Sequence, residues 1–216
     1  MNKQYILFDL DGTITDSALG ITNCVSYALK ELNQEPLPPK SLMRFIGPPL
    51  LDAFMEYGGI DKKMATNAVA KYRERYKDIG IFECSIYSGI AEVLKALKDA
   101  DKTVILATAK PLEFAKIIIE HFNLIQYFDD MVGANFSGNL IHKHEIIAEV
   151  IKRFNITDRT SAIMIGDREQ DISGAKMFSL ESIGVRYGFA EENELEDAGA
   201  TYIADTPNDI LKIILE

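Results

Sequence analysis

Only two cysteines, Cys24 and Cys84, occur in 216 residues. They stand far apart, in neither a metal-type nor a redox-type spacing, so a disulfide framework is excluded and both read as reduced thiols of a cytoplasmic chain. Histidine is equally scarce: His121, His142 and His144 are all there is, and no His/Cys cluster argues for zinc. Basic residues fall short of acidic ones, 23 Lys and Arg against 33 Asp and Glu, for a net charge of −10. That excludes a binder of nucleic-acid backbone, which needs a basic face. It leaves a small anionic substrate open, because a pocket can be locally basic. No run approaches the roughly 20 apolar residues of a membrane span. A signal peptide is not expected either, since the first strand starts almost at once and carries acids. There is no repeat and no low-complexity tract. Neither a nucleic-acid polymer nor a membrane is an expected partner, and monomer and dimer both remain open.

What is present is apolar content of 47%, enough for a real core, and one unusual opening stretch. Tyr5-Ile6-Leu7-Phe8 runs apolar, and Asp9-Leu10-Asp11-Gly12-Thr13 follows. Side chains alternate along a strand, so Asp9 and Asp11 can share one side at its end, and Gly12 permits a tight turn. Such a pair can bind a hard cation and divide nucleophile and acid/base roles. Taken alone, the stretch also reads as an Asp-rich turn.

Beyond it, residues 16–82 read as helix and turn only. Asp16-Ser17 can cap a helix with Ile21, Val25 and Leu29 on one face. Pro36, Pro38 and Pro39 break it. A short helical piece over Ser41–Phe45 and the stiff turn Ile46–Leu50 precede helices over Leu51–Tyr57 and after Asp61. From Ser85 the pattern alternates. Strands are expected at Thr103–Thr108, Met131–Ala134, Ala162–Gly166, Ser182–Val185 and Thr201–Ala204. Helices are expected at Ser88–Ala100, Phe114–Phe122, Glu145–Phe154, Ile172–Met177, Glu191–Ala198 and Asn208–Leu215, with a turn at Ser137-Gly138-Asn139. Short apolar strands between helices indicate an α/β fold, a Rossmann-like parallel sheet sandwiched by helices. The expected organisation is a core of residues 1–15 and 83–216 with a small all-helical subdomain, 16–82, inserted after the first strand.

Ligands of such sheets lie outside the carboxyl ends of the strands, and the polar residues there form a plausible site. They are Asp9 and Asp11, Thr108-Ala109-Lys110, and Gly166-Asp167-Arg168-Glu169-Gln170-Asp171, with Lys143 opening a helix. Several carboxylates in one pocket repel unless a cation holds them, and oxygen ligands favour Mg²⁺. A carboxylate can attack phosphorus and form an acyl phosphate. Asp9 is the candidate nucleophile, and Asp11 the acid for the leaving oxygen and then the base for water. Asp9, the Asp11 carbonyl and Asp167 would hold Mg²⁺; Asp171 would hold a metal-bound water or orient Lys143. The Thr108 hydroxyl and the neighbouring Gly12-Thr13 and Ala109-Lys110 segments would surround phosphate. Arg44, Arg168 and Arg186 are candidates for a second anionic group on the substrate. The acidic stretch Glu191–Asp197 reads as a solvated face. Tyr187-Gly188-Phe189 reads as pocket lining or as plain packing.

FDLDGT at Phe8–Thr13, TAK at Thr108–Lys110, Lys143 and GDREQD at Gly166–Asp171 resemble, in order, the four motifs of the haloacid-dehalogenase superfamily. The resemblance spans nearly the whole chain. It implies an aspartate nucleophile, an aspartate acid/base, a Mg²⁺ cofactor and a helical cap inserted after the first motif. Asp11, absent from the dehalogenases proper, implies a phosphatase or phosphomutase. DLDGTITDSALGITNCVSYAL, FIGPPL, AKPLEFAKIIIEHF and IGVRYGF further resemble the phosphoglycolate-phosphatase group and its bacterial 5′-nucleotidase-like members. The expected substrate is a small phosphorylated metabolite, such as a nucleoside 5′-monophosphate. Phosphoglycolate hydrolysis and sugar-phosphate mutation are the alternatives.

Overall fold

The computed structural model describes residues 3–135 and 140–216; the turn expected at Ser137-Gly138-Asn139 lies outside them. The chain divides into two compact units, residues 1–15 with 86–216 and residues 16–85.

The larger unit is built on six parallel strands: β1 (Tyr5–Phe8), with β4 (Thr103–Pro111), β5 (Asp130–Ala134), β6 (Ala162–Gly166), β7 (Glu181–Val185) and β8 (Tyr202–Ala204). Their order is β5-β4-β1-β6-β7-β8. Residues of both parities along the strands are buried: Leu7, Ile105 and Met164 as well as Ile6, Phe8, Val104 and Ile163. Both faces are therefore covered, which is why these strands are continuously apolar instead of alternating. The covering helices are α5 (Ile90–Asp99), α6 (Leu112–His121), α7 (Lys143–Arg153), α8 (Glu169–Met177), the short α9 (Glu194–Ala198) and α10 (Pro207–Leu215). α5 packs on α10 and α7 on α8. Leu7, Ile105, Val132, Ile146, Val150 and Met164 belong to one core cluster that joins sheet to helix.

β1 lies between β4 and β6, with Phe8 opposite Leu106 on one side and Ile165 on the other. The strand order reverses there, so the carboxyl ends of β1, β4 and β6 converge at the switch point where α/β sheets bind ligands. β4 also carries an irregularity. Thr108 pairs with Gly133 but Pro111 with Ala134, so Ala109 and Lys110 bulge from the ladder and re-aim the chain.

The smaller unit contains α1 (Ala18–Glu31), α2 (Pro39–Met43), α3 (Leu50–Glu56) and α4 (Lys62–Tyr76). Its core includes Ile21, Cys24, Val25, Phe45, Phe54, Ala68 and Tyr72. Asp61 caps α4 by accepting from Met64 N–H at 2.9 Å. α1 passes so close to the turn at Gly80–Phe82 that a Cβ on Gly20 would strike the Gly80 carbonyl. Neither cysteine forms a disulfide among the described residues; Cys24 is buried and accepts from Arg75 Nη1 at 3.1 Å. The chain passes between the units through two short segments the sequence reading missed, β2 (Thr15–Asp16) and β3 (Ser85–Ile86), which pair with each other.

Candidate active site

β1 ends at Phe8, before the acids, although Asp9 N–H still donates to the Ile165 carbonyl at 2.9 Å. The chain then turns on itself. The Leu10 carbonyl accepts from the N–H groups of Thr13, Ile14 and Thr15, and Gly12 N–H donates to the Thr15 carbonyl at 2.7 Å. Gly12 has φ +82°, and a Cβ there would collide with the Asp167 carboxylate. Glycine is required twice over, for the left-handed backbone and for the approach.

Asp9, Asp167 and Asp171 come together, their carboxylate oxygens within 4.8 Å of one another. Asp167 and Asp171 are 0% and 1% exposed. The Lys143 ammonium, at the first turn of α7, stands 2.8 Å from Asp9 Oδ1 and 2.7 Å from Asp171 Oδ1. It donates also to the Ala107 carbonyl at 3.0 Å, so all three of its protons have an acceptor in reach. Burial works against the Lys143 charge, but Asp171 and Asp9 outweigh it and raise its pKa. One cation does not balance three carboxylates. Burial, with Asp171 and Asp9 nearby, holds Asp167 well above the usual carboxylate range. Asp171 is pushed up to about 6, by burial and Asp9 against the opposing pull of Lys143. An oxygen-only, carboxylate-rich, buried cluster with too little positive charge fits a hard divalent cation, and these residues fit Mg²⁺.

Asp167 is held from two sides. Phe189 N–H donates to Oδ2 at 2.8 Å, and the Thr13 hydroxyl lies 3.4 Å from Oδ1. Gly188 makes this approach possible, since a Cβ there would strike both Asp167 and the Gly12 carbonyl. The Tyr187 hydroxyl donates to the Thr13 carbonyl at 3.0 Å, its ring edge-on to Tyr87. The 187–189 segment thus braces the Asp9–Thr13 loop.

Asp11 lies outside the carboxylate cluster. Its Oδ2 accepts from Lys110 Nζ at 2.7 Å, while its buried Oδ1 has no hydrogen-bond partner among the described residues. Lys110 is therefore paired with Asp11 by the bulge of β4. Thr108, 1% exposed, accepts at its hydroxyl from Lys110 N–H at 3.2 Å; Ala109 is half-buried beside it. Three candidate arginines have partners of their own. Arg168 Nε donates to Glu194 at 2.8 Å. Arg186 is exposed and paired with Glu196 and Asp205. Arg44, exposed in the helical unit, lies over the Tyr57 ring, 4.1 Å from its centroid. The reading of Glu191–Asp197 as a solvated face is corrected at Glu194, whose carboxylate is turned inward onto Arg168.

Comparison with known proteins gives the chain a family. The family model of haloacid dehalogenase-like hydrolases matches residues 6–185. A 5′-nucleotidase of Pseudomonas aeruginosa is 41% identical over 201 residues, 93% of this chain and 90% of its own. A phosphoglycolate phosphatase of Colwellia psychrerythraea is 25% identical over 217 residues, 97% and 96% of the two chains. The crystal structure of a predicted phosphatase from Clostridium acetobutylicum superposes with a TM-score of 0.94 at 46% identity, covering 99% of this chain and 98% of its own. With its site at the sheet's switch point and these relatives along its length, the chain belongs to the haloacid dehalogenase-like hydrolase family, among its phosphatases.

Proposed function

We propose that the protein is a Mg²⁺-dependent phosphomonoester hydrolase that works through an aspartyl-phosphate on Asp9, with a nucleoside 5′-monophosphate as substrate. The observation that carries the chemistry is the convergence of Asp9, Asp167 and Asp171 around Lys143 at the strand ends. The substrate class rests on the likeness to the P. aeruginosa 5′-nucleotidase.

In this reading a carboxylate oxygen of Asp9 attacks phosphorus and the ester P–O bond breaks. Asp11 gives the leaving oxygen a proton. Water then attacks the phosphorus of the acyl phosphate, losing its proton to Asp11, and the Asp9 carboxylate departs. Lys143 holds Asp9 in place and offsets charge on the transferring group. Lys110 sets the orientation of Asp11 through the 2.7 Å contact. The Thr108 hydroxyl and the N–H groups of the Gly12-Thr13 and Ala109-Lys110 segments receive the phosphoryl oxygens. Asp9, the Asp11 carbonyl and Asp167, with Asp171 beside them, would hold Mg²⁺, which would supply the charge neutralisation that an anionic nucleophile needs to meet an anionic ester. The two thiols support a cytoplasmic enzyme, and the substrate is its small-molecule partner; among the described residues no helix is long and apolar enough to cross a membrane.

Phosphate release from nucleoside 5′-monophosphates, phosphoglycolate and hexose phosphates, each with Mg²⁺ and with chelator, tests the reading. The expected result is Mg²⁺-dependent release, highest with the nucleotides. Highest release from phosphoglycolate would favour the second reading, which the C. psychrerythraea relative supports. Isomerised hexose phosphate without free phosphate would reject hydrolysis.

A further inference from the structure

We propose that Glu194 is a positioning residue of the metal site, tying the segment 186–194 to the start of α8 and so fixing Asp167 between them. The inference rests on the reading of Asp9, Asp167 and Asp171 as a Mg²⁺ site. The Glu194 side chain is only 11% exposed. Its Oε1 accepts from Arg168 Nε and from Glu169 N–H, both at 2.8 Å, and its Oε2 accepts from Glu191 N–H at 2.8 Å. Two of these donors belong to the beginning of α8 and one to the segment after β7. That same segment carries Phe189, whose N–H holds Asp167 Oδ2.

A carboxylate is needed here for a local reason. The residue before α8 is Arg168, and a guanidinium has no acceptor for the free N–H groups of a first helical turn. Asp171 accepts from Arg168 N–H at 3.2 Å, but Glu169 N–H is served from outside the helix, by Glu194. A negative group is favourable at that end of the helix, and Arg168 adds an ion pair to it. The other end of the tie is fixed as well. Leu195, the next residue, is 1% exposed and packs where Gly184 leaves room for it. Glu194 therefore reaches α8 from an anchored point. Without the tie, the segment that brings Phe189 N–H and Gly188 against Asp167 keeps the Tyr187 bond to Thr13 but loses its link to α8, and the donor to Asp167 is held less firmly.

The test is Mg²⁺ binding, read from the melting temperature as a function of Mg²⁺ concentration, in the full chain. Glu194→Ala is expected to raise the Mg²⁺ dissociation constant about tenfold, the effect usual for a group that orients a ligand. Glu196→Ala, which removes the same charge from the same short helix without touching α8, is expected to leave it within about twofold. Glu194→Gln keeps the shape and is expected to weaken binding about threefold. Wild-type affinity in Glu194→Ala, or an equal loss in Glu196→Ala, overturns the proposal. If Glu194→Ala does not fold, wild-type affinity in Glu194→Gln overturns it. No Mg²⁺ response in the wild type overturns it too. A normal Mg²⁺ response without phosphate release overturns the hydrolase reading alone.

Discussion

The Lys143 ammonium stands 2.7 Å from Asp171 and 2.8 Å from Asp9, and all three side chains are at least nine-tenths buried. It is the cation shared by two carboxylates that face a third. Removing it leaves buried negative charge uncompensated, a change that costs about 3–5 kcal/mol. Lys143→Met should therefore lower the melting temperature of the metal-free protein. The loss should be larger at pH 8 than at pH 5, where the carboxylates can take up protons, and Mg²⁺ should recover part of it. An equal loss at both pH values would contradict the charge argument.

Asp11→Asn tests the proton donor. The fold should persist, because shape is kept, and Lys110 loses an ionic partner only. Turnover should fall by about 10²–10⁴-fold for an alkyl phosphate, whose leaving oxygen needs a proton. An aryl phosphate, whose leaving group needs little, should lose far less. Parallel losses measured as kcat/KM with both esters would remove Asp11 from the acid role.

Gly12→Ala puts a methyl group where the Asp167 carboxylate lies and holds an L-residue at φ +82°. The backbone alone costs about 1–2 kcal/mol. Mg²⁺ affinity should fall more than tenfold, as expected when a ligand is displaced. Calorimetric titration of Mg²⁺ into the variant checks this, and unchanged affinity would mean that Asp167 is not a ligand.

The pH dependence of metal binding has a defined sign. Asp167 lies well above, and Asp171 at about 6 against, an unfolded carboxyl value of about 3.9. Groups raised on folding favour the native state below the unfolded value, and that contribution is lost as pH rises through the folded one. For Asp171 the loss spans about pH 4 to 6, and Asp167 adds to it in the same direction. Mg²⁺ binds the ionised carboxylates and displaces their protons, so its affinity rises with pH. The stabilisation by a fixed Mg²⁺ concentration should be larger at pH 8 than at pH 5.5. A shift independent of pH would place the cation elsewhere.

Arg44 is the selectivity candidate of the helical unit on sequence grounds. Its exposed stack on Tyr57 is worth about 0.5–1 kcal/mol to that unit, so Arg44→Ala should fold. KM for the natural substrate should rise about tenfold, 1.4 kcal/mol, with a small aryl phosphate unaffected. Equal effects on both would assign Arg44 to folding or to the chemical step.

Much of this was legible in the sequence where the signal is local. β6 has the expected bounds, Ala162–Gly166, because a buried parallel strand writes itself as a continuous apolar run. Lys143 at the start of α7, and Asp167 followed four residues later by Asp171, were readable from spacing. Contacts between segments distant in sequence were not. The Thr13 hydroxyl leans toward Asp167, 154 positions away. The pairing of Lys110 with Asp11 across the bulge is one such contact. Nothing in the run of acids around Glu194 marks the one that turns inward. Gly188 was the available clue to a close approach, but a glycine names neither its neighbour nor its reason. The two-residue strands β2 and β3 are too short for any period.

β1 occupies the middle of the sheet, yet its neighbours are strands beginning at Thr103 and Ala162. On a ribosome, Ile6, Leu7 and Phe8 emerge long before β4 and β6 and wait for them before either flank can be zipped. Such long-separation pairing makes folding slow and leaves a sticky apolar segment open to wrong partners. Meanwhile residues 16–85, which carry their own buried cluster, are complete well before β4 exists. The order of synthesis therefore separates the molecule into an early-closing helical piece and a catalytic sheet that cannot assemble until late. Asp9, the proposed nucleophile, is made before either flank of its strand and finds its place only when both are present.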